Sequence, residues 1–320
     1  MFFVADGKRI LVSGSIAYDN VMKYDGLFKD AILPEKLNHL SVAFTASKKS
    51  VQFGGCAGNI AYTLKLFGED SLVLGAAGSD FSSYEQWLKK CGIDSAAIVQ
   101  HPEEFTASAT IITDKDQNQI TIFHAGAMSF GPQALSVRDH NHADLALAII
   151  SPDDPHRMLR LAMECKELKI PYIFDPSQQL TSLSEFELRE ALSSAKVLIA
   201  NEYEVELICK KLGMTKEQLP AVVPIFIETF GEKGSSIVSP EGTFFVRAVT
   251  PLKAAEPTGC GDAFRAGILT GMQLGFTIEK CCKIGSLAAT YVLENEGSQN
   301  HKFTLDEFKK IFEESFGEGF

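Results

Sequence analysis

Glu256-Pro257-Thr258-Gly259-Cys260-Gly261-Asp262-Ala263-Phe264, leading into the apolar run Ala266-Gly267-Ile268-Leu269, is the stretch from which the rest of the chain is read. Two glycines around one small residue let the backbone bare its N–H groups at a helix start, where those donors and the helix dipole favour phosphate oxygens. Asp262 stands in the first turn, where a carboxylate can take a proton from an attacking hydroxyl while the N–H groups hold a transferred phosphoryl group. Glycine and aspartate are also ordinary capping residues, so this stretch alone leaves both readings open.

Working outward, short β-type runs alternate with segments of helical period from about Ser71 onward, the pattern of a mostly parallel sheet covered by helices. The core strands are expected at Ile10-Ser13, Ser71-Gly75, Leu145-Ser151, Ile170-Phe174, Lys196-Ala200 and Pro224-Thr229. Tyr84, Trp87, Leu88 and Cys91 share one helical face ahead of Gly92. Ser184 to Glu187 reads as a capping box, residues 234–249 as a hairpin, and residues 261–274 and 279–294 as long helices. Residues from about 18 to 52 and from about 104 to 126 break the alternation. They are rich in β-branched and aromatic residues and fit a small β lid inserted in one domain spanning residues 1–320, or else edge strands and loops of a single layer.

The composition narrows the function. A net charge of -11 without a Lys/Arg block argues against nucleic acid and anionic membranes, and it requires any ATP site to offset the surroundings with magnesium and aimed N–H groups. Seven cysteines scattered without a C-x-x-C pair read as reduced thiols. Neither a basic, apolar leader at Met1 to Lys8 nor an apolar run of spanning length is found, which points to a cytoplasmic location. There is no G-x-x-x-x-G-K-[ST] loop, no G-x-G-x-x-G after the first strand and no close His/Cys metal spacing.

Four further clusters sit at expected strand exits or helix starts. Gly54-Gly55-Cys56-Ala57-Gly58-Asn59 precedes a helix, and its glycines admit a ligand close to the main chain while the Asn59 amide suits paired hydroxyls of a sugar ring. Asn201-Glu202-Tyr203-Glu204 follows a strand, where Glu204 can hold magnesium through water. Gly231-Glu232-Lys233-Gly234 follows Thr229, and Asp175-Pro176-Ser177-Gln178-Gln179 follows Phe174. Asp19, soon after Gly14-Ser15, is a further polar candidate. Each also reads as a turn or a cap.

Taken together in this order, the clusters at 54–59 and 257–264 resemble the two signatures of the ribokinase-like (PfkB) kinases, Asn201-x-x-Glu204 resembles their magnesium-linked motif, and Thr229 to Gly234 resembles their ATP loop. Within that family Gly14-Ser15-Ile16-Ala17-x-Asp19, Gly126-Ala127-Met128-Ser129, Asp175 to Gln179 and Glu296-Gly297-Ser298-Gln299 are most similar to the bacterial adenosine kinases of the mycobacterial type. The resemblance implies a three-layer α/β/α fold with a β lid, and transfer of the ATP γ-phosphate to the 5′-hydroxyl of adenosine. It implies Asp262 as base, Gly259, Cys260 and Gly261 as anion hole, and Ser15, Asp19, Gly55 and Asn59 on the ribose side. Phe123, Gln178 and Gln179 fall near the base or sugar, Asn201, Thr229, Gly231 and Gly234 on the nucleotide, and Glu204 on Mg2+.

The family has Asp where this chain has Glu256, which leaves monovalent-cation activation open, and Ala109 stands where a larger ring could face the base. A sugar kinase of the same fold and a non-catalytic nucleoside sensor are the competing readings. The exposed face of such a lid also offers a surface for pairing two subunits.

Overall fold

Alternate side chains of a strand point to opposite faces of its sheet. In the first strand Ile10 and Val12 accordingly join one buried cluster and Leu11 joins another. A computed structural model describes residues 8–33, 38–39, 41–116, 118–130 and 135–320. Residues 1–7, read with Lys8 for a leader, residues 34–37 and 40 of the first lid segment, and residue 117 of the second lie outside this set. In chain order the elements begin β1 (Arg9–Ser13), β2 (Ala17–Tyr24), α1 (Phe28–Ala31), β3 (Ala46–Gly54), α2 (Cys56–Leu66), β4 (Ser71–Gly78), α3 (Ser82–Lys90), β5 (Ile98–His101), β6 (Ala107–Thr113) and β7 (Gln119–His124). They continue β8 (Leu145–Ile150), α4 (Pro155–Leu168), β9 (Tyr172–Phe174), α5 (Glu185–Leu192), β10 (Val197–Asn201), α6 (Glu202–Leu212) and β11 (Ile225–Thr229). The chain ends through β12 (Ser235–Ser239), β13 (Gly242–Val246), α7 (Cys260–Gln273), α8 (Ile278–Leu293) and α9 (Leu305–Phe316).

Nine of these strands form one sheet in the order β13-β12-β11-β10-β9-β8-β1-β4-β5. From β5 to β11 every pairing is parallel, and β12 and β13 close the far edge as the expected antiparallel hairpin. One face packs on α2, α3, α7 and α8, the other on α4, α5 and α6, giving three layers. The helices start where side chains satisfy their free N–H groups. Asp154 caps α4 ahead of Pro155, and the capping box at Ser184 and Glu187 opens α5. β9 starts at Tyr172 rather than Ile170, since Pro171 has no N–H to give the ladder. β5, only four residues long, carries too little pattern to have been read from the sequence.

The second sheet, β3-β2-β6-β7, is the expected lid. β2 pairs antiparallel with β3 and parallel with β6, and β6 pairs antiparallel with β7. The register sets Gln52, Asp19, Ala109 and Phe123 in one row across the sheet, hence on one face. The first lid segment also holds the short helix α1, whose Phe28 N–H is held by the buried Asp114 at 3.0 Å. All seven cysteines are free thiols. Among the described residues no helix is long and apolar enough to cross a membrane.

Candidate active site

A parallel sheet exposes the carboxyl ends of its strands along one edge. There β1 leads into Gly14 and Ser15, β9 into Asp175 to Gln179, β10 into Asn201 and Glu204, and β11 into Thr229 to Gly234. α2 and α7 begin beside the same edge, and both begin on a glycine with positive φ. Gly55 precedes α2 at φ 84°, and a Cβ there would lie 2.5 Å from the Ser15 carbonyl oxygen. Gly259 precedes α7 at φ 86°, and a Cβ there would lie 2.5 Å from that of Ser298. Both positions therefore demand glycine on conformation and on space.

At the start of α7 the Cys260 N–H donates to the Pro257 carbonyl at 3.2 Å. The next donors, on Gly261 and Asp262, have no carbonyl one turn behind them within the helix. They form an electropositive mouth next to the half-buried Asp262 carboxylate. Asn59 Nδ2 donates to Asp262 Oδ2 at 2.8 Å and so joins the two glycine-led helices. Burial raises the Asp262 pKa, while the Asn59 hydrogen bond, the Arg265 charge and Cys56 oppose the rise. The result is a carboxyl group more basic than one in water, held in place by Asn59.

Arg265, one turn into α7, was not singled out in the sequence. Its Nη2 donates to Asp175 Oδ1 at 2.7 Å, its Nε also meets Asp175, and its Nη1 donates to the Gly261 carbonyl at 2.9 Å. Arg265 thus clamps the first turn of α7 to the end of β9. The Asp175 pKa is pushed up to about 6 by burial first, with Arg265 pulling it down and Glu204 and Asp262 raising it. The available signal was spacing: a basic residue three positions after Asp262, on a helix otherwise apolar at that level, needs a buried carboxylate.

From the lid, Asp19 is 9% exposed and packs so closely on Gly54 that a Cβ there would lie 2.3 Å from its Oδ2. Its pKa is pushed up to about 7, by burial first and then by Glu256 and Asp262. Ser15 Oγ accepts the Cys56 N–H at 3.0 Å, fixing the start of α2. Phe123, half exposed, stands two strands from Asp19 with Ala109 between, about 10 Å away at ordinary strand spacing. Glu256 accepts the Gly297 N–H at 3.1 Å. Burial, then Asp262 and Glu256, push the Cys260 thiol up to about 12, so it stays protonated and neutral.

Along the nucleotide side, Asn201 and Glu204 form a reciprocal capping box at 2.9 Å in each direction. Ser177 Oγ reaches the other Glu204 oxygen at 3.3 Å and Gln178 Oε1 at 2.9 Å. Thr229 pairs in register with Asn201, and Gly231 to Lys233 form a tight turn closed by Phe230 N–H to Gly234 carbonyl at 2.8 Å. Gln178 is exposed and Gln179 half-buried on the short helical turn after β9. Among the described residues no cluster of three acidic, His or Cys side chains is poised to enclose a metal. Glu204, one oxygen of which has only the long Ser177 contact, fits a hydrated magnesium ion held by a single carboxylate and phosphates.

Beneath Asp262 lie Ser298 and Gln299, quoted in the sequence without a role, and His301, which the sequence reading missed. Ser298 and Gln299 both donate to Asn59 Oδ1, at 2.9 and 3.0 Å. His301, fully buried, meets Thr63 at 3.1 Å, and burial lowers its pKa to about 4, so it packs as a neutral ring.

Several known proteins are similar to this chain over most of its length. A nucleoside kinase of Methanocaldococcus jannaschii is 32% identical over 286 residues, 88% of this chain and 91% of that one. The structure of a Burkholderia thailandensis nucleoside kinase in complex with inosine is 35% identical and superimposes with a TM-score of 0.85, covering 97% of this chain and 99% of that one. The same nucleoside kinase in complex with ADP-inosine gives a TM-score of 0.83 at 36% identity, with 97% of each chain covered. The layered sheet with its smaller second sheet is the ribokinase-like α/β fold. Since the family model described as pfkB family carbohydrate kinase matches residues 17–304, a range that holds both Asp19 and Asp262, this chain belongs to the pfkB family of kinases.

Proposed function

We propose that the protein is a nucleoside kinase that transfers the γ-phosphoryl group of ATP to the ribose 5′-hydroxyl of adenosine, working in the cytoplasm. The observation that carries this reading is the 2.8 Å contact between Asn59 and Asp262, which joins the sugar-side glycine turn to the helix-start anion mouth. A 5′-hydroxyl delivered there gives its proton to Asp262 as its oxygen bonds to the γ-phosphorus, and the bond to the β-phosphate oxygen breaks to leave ADP. The N–H groups of Gly259, Gly261 and Asp262 at the start of α7 face the charge that spreads over the equatorial oxygens, and that of Cys260, held by the Pro257 carbonyl, would turn to it only by giving up that contact. Glu204, through water, would hold Mg2+, which when bound offsets the triphosphate charge.

The ribose hydroxyls fit beside Asp19, Asn59, Ser15 and Gly55. On the lid face that carries Asp19, Ala109 and Phe123 in one row, the small Ala109 would leave room for a flat base. Gln178 and Gln179 supply amides toward the base or sugar. Thr229, Gly231 and Gly234, with Asn201, line the ATP side.

ADP release measured with adenosine, guanosine, inosine, ribose and fructose tests the reading. Adenosine is expected to turn over fastest. Preference for ribose or fructose overturns the nucleoside assignment, and a faster rate with inosine overturns adenosine as the acceptor. We further propose that the lid face turned away from Asp19, with Val51 and Ile122 exposed, pairs two subunits, and a monomer mass by light scattering refutes that.

A further inference from the structure

The buried side of Asp262 is held by a hydrogen-bond chain that ends on the only tryptophan of the sequence. An indole N–H can donate but cannot accept. Trp87 Nε1 donates to Gln299 Oε1 at 2.9 Å, and this contact decides which end of the Gln299 amide faces which way. Nε2 then lies on the other side, where it donates to Asn59 Oδ1 at 3.0 Å and to the Tyr84 hydroxyl at 2.6 Å. Tyr84 passes its own proton to the Gly54 carbonyl at 2.7 Å. With Oδ1 already taken by Gln299 and Ser298, Asn59 turns Nδ2 toward Asp262. Gln299 and Asn59 are 2% and 4% exposed, so no water competes to supply the missing partner of a flipped amide.

We infer that Trp87 and Gln299 are positioning residues for Asp262, setting the polarity of the Asn59 amide so that an N–H, and not a carbonyl oxygen, meets the base. The inference rests on Asp262 being the base of the phosphoryl transfer. A hydrogen bond to the ionised form stabilises it, whereas a carbonyl oxygen in the same place would repel the anion and keep the carboxyl group protonated.

The other ionisable groups facing Asp262 are Arg265 and Cys260 on α7, Cys56 on α2, Tyr84 on α3, Asp19 on the lid, and Asp175 after β9. All of them remain when positions 87 and 299 are changed, so a change in the titration of Asp262 reports the amide.

The test uses Trp87→Phe, which keeps a ring against Phe53, together with Gln299→Met and the double variant. Rates at saturating acceptor, where the Asp19 titration that acts through KM does not enter, are expected to show the acid limb of kcat displaced upward by about one pH unit and kcat at neutral pH lowered up to ~10-fold, with KM for ATP unchanged. The double variant is expected to match Gln299→Met, because Trp87 acts only through Gln299. A wild-type acid limb in Trp87→Phe, or losses that add in the double variant, would overturn the inference. Independently of activity, the single indole N–H resonance in 15N NMR is expected to exchange slowly with water in the wild type and faster in Gln299→Met. Equal exchange in the two proteins removes the first link of the chain. If the wild type releases ADP with none of the acceptors, the kinase reading fails and the exchange experiment still decides the chain.

Discussion

Replacing Arg265 by methionine removes a guanidinium that is 9% exposed and leaves Asp175, 1% exposed, without its cation. The two hydrogen bonds lost, to Asp175 at 2.7 Å and to the Gly261 carbonyl at 2.9 Å, are each partly or wholly buried. Breaking one side of a buried ion pair costs about 3–5 kcal/mol, mostly because a charge stays behind unpaired. The cost depends on pH in a way that identifies its source. Even with Arg265 present the Asp175 pKa is raised from 3.8 to about 6 in the folded protein. A carboxyl group raised on folding contributes stability that is fully present below its unfolded value and is lost as pH rises through its folded value. Each unit is worth about 1.4 kcal/mol. Without Arg265 the folded value climbs further, so the deficit of the variant is largest at neutral and alkaline pH. It should shrink by about half near pH 5, where the folded variant takes up a proton and the wild-type pair is itself largely protonated. Urea unfolding of wild type and Arg265→Met across pH reads this directly, and adding Asp175→Asn should restore at least half the loss at neutral pH. A deficit under about 1 kcal/mol, or one flat across pH, would show that the pair does not anchor α7.

Asp262→Asn is expected to bind nucleoside nearly as well as wild type in calorimetry while kcat falls at least ~10²-fold, and wild-type-like turnover would mean the base is elsewhere. Because the Asp19 pKa is raised to about 7 by burial and by Glu256 and Asp262, the acceptor KM should rise as pH falls through neutrality, where the protonated side chain loses a lone-pair site for a ribose hydroxyl. A KM flat from acid to alkaline pH would exclude Asp19 from the acceptor. Glu204→Gln keeps an oxygen for the Asn201 N–H, so unfolding should shift by less than about 1 kcal/mol, yet the magnesium concentration giving half-maximal rate should rise several-fold. An unchanged magnesium dependence would remove Glu204 from the metal.

The legible parts of this molecule are those that a local rule writes. β8 (Leu145–Ile150) is an apolar run bounded by polar residues, and α7 opens on Gly259 because only glycine tolerates both its φ and the approach of Ser298. The strand-exit clusters could be placed on one edge because parallel strands leave no alternative. What stayed hidden was every pairing set by tertiary approach. Arg265 meets Asp175 across 90 positions and Trp87 meets Gln299 across 212, and neither partner carries a sequence mark that names the other. A tryptophan at helical spacing reads as core, which its ring is. The donor on its edge becomes informative only once the amide it faces is known. The lid was half legible for the same reason: β-branched residues announced strands, but the parallel pairing of β2 with β6 needs a crossover that no local pattern encodes.

That crossover is what brings lid and base into one electrostatic unit. Asp19 sits on the strand that leaves β1, and its partners Ala109 and Phe123 arrive from the far side of β4 and β5. The raised pKa of Asp19 has Glu256 and Asp262 among its causes, and the same two carboxylates also raise the Cys260 thiol. Such a group of acids beside an anion mouth is unfavourable until an acceptor brings donors to it. Neutral hydroxyls would do so, since each can donate to one carboxylate and, on the proposed function, the last would pass its proton to Asp262. An acceptor that already carries a phosphate adds like charge to the same place and gains nothing there. On the proposed function, the acidity of the site and the helix-start donors would divide the work between them: the carboxylates would favour an uncharged alcohol, and the N–H groups of α7 would receive the phosphoryl group.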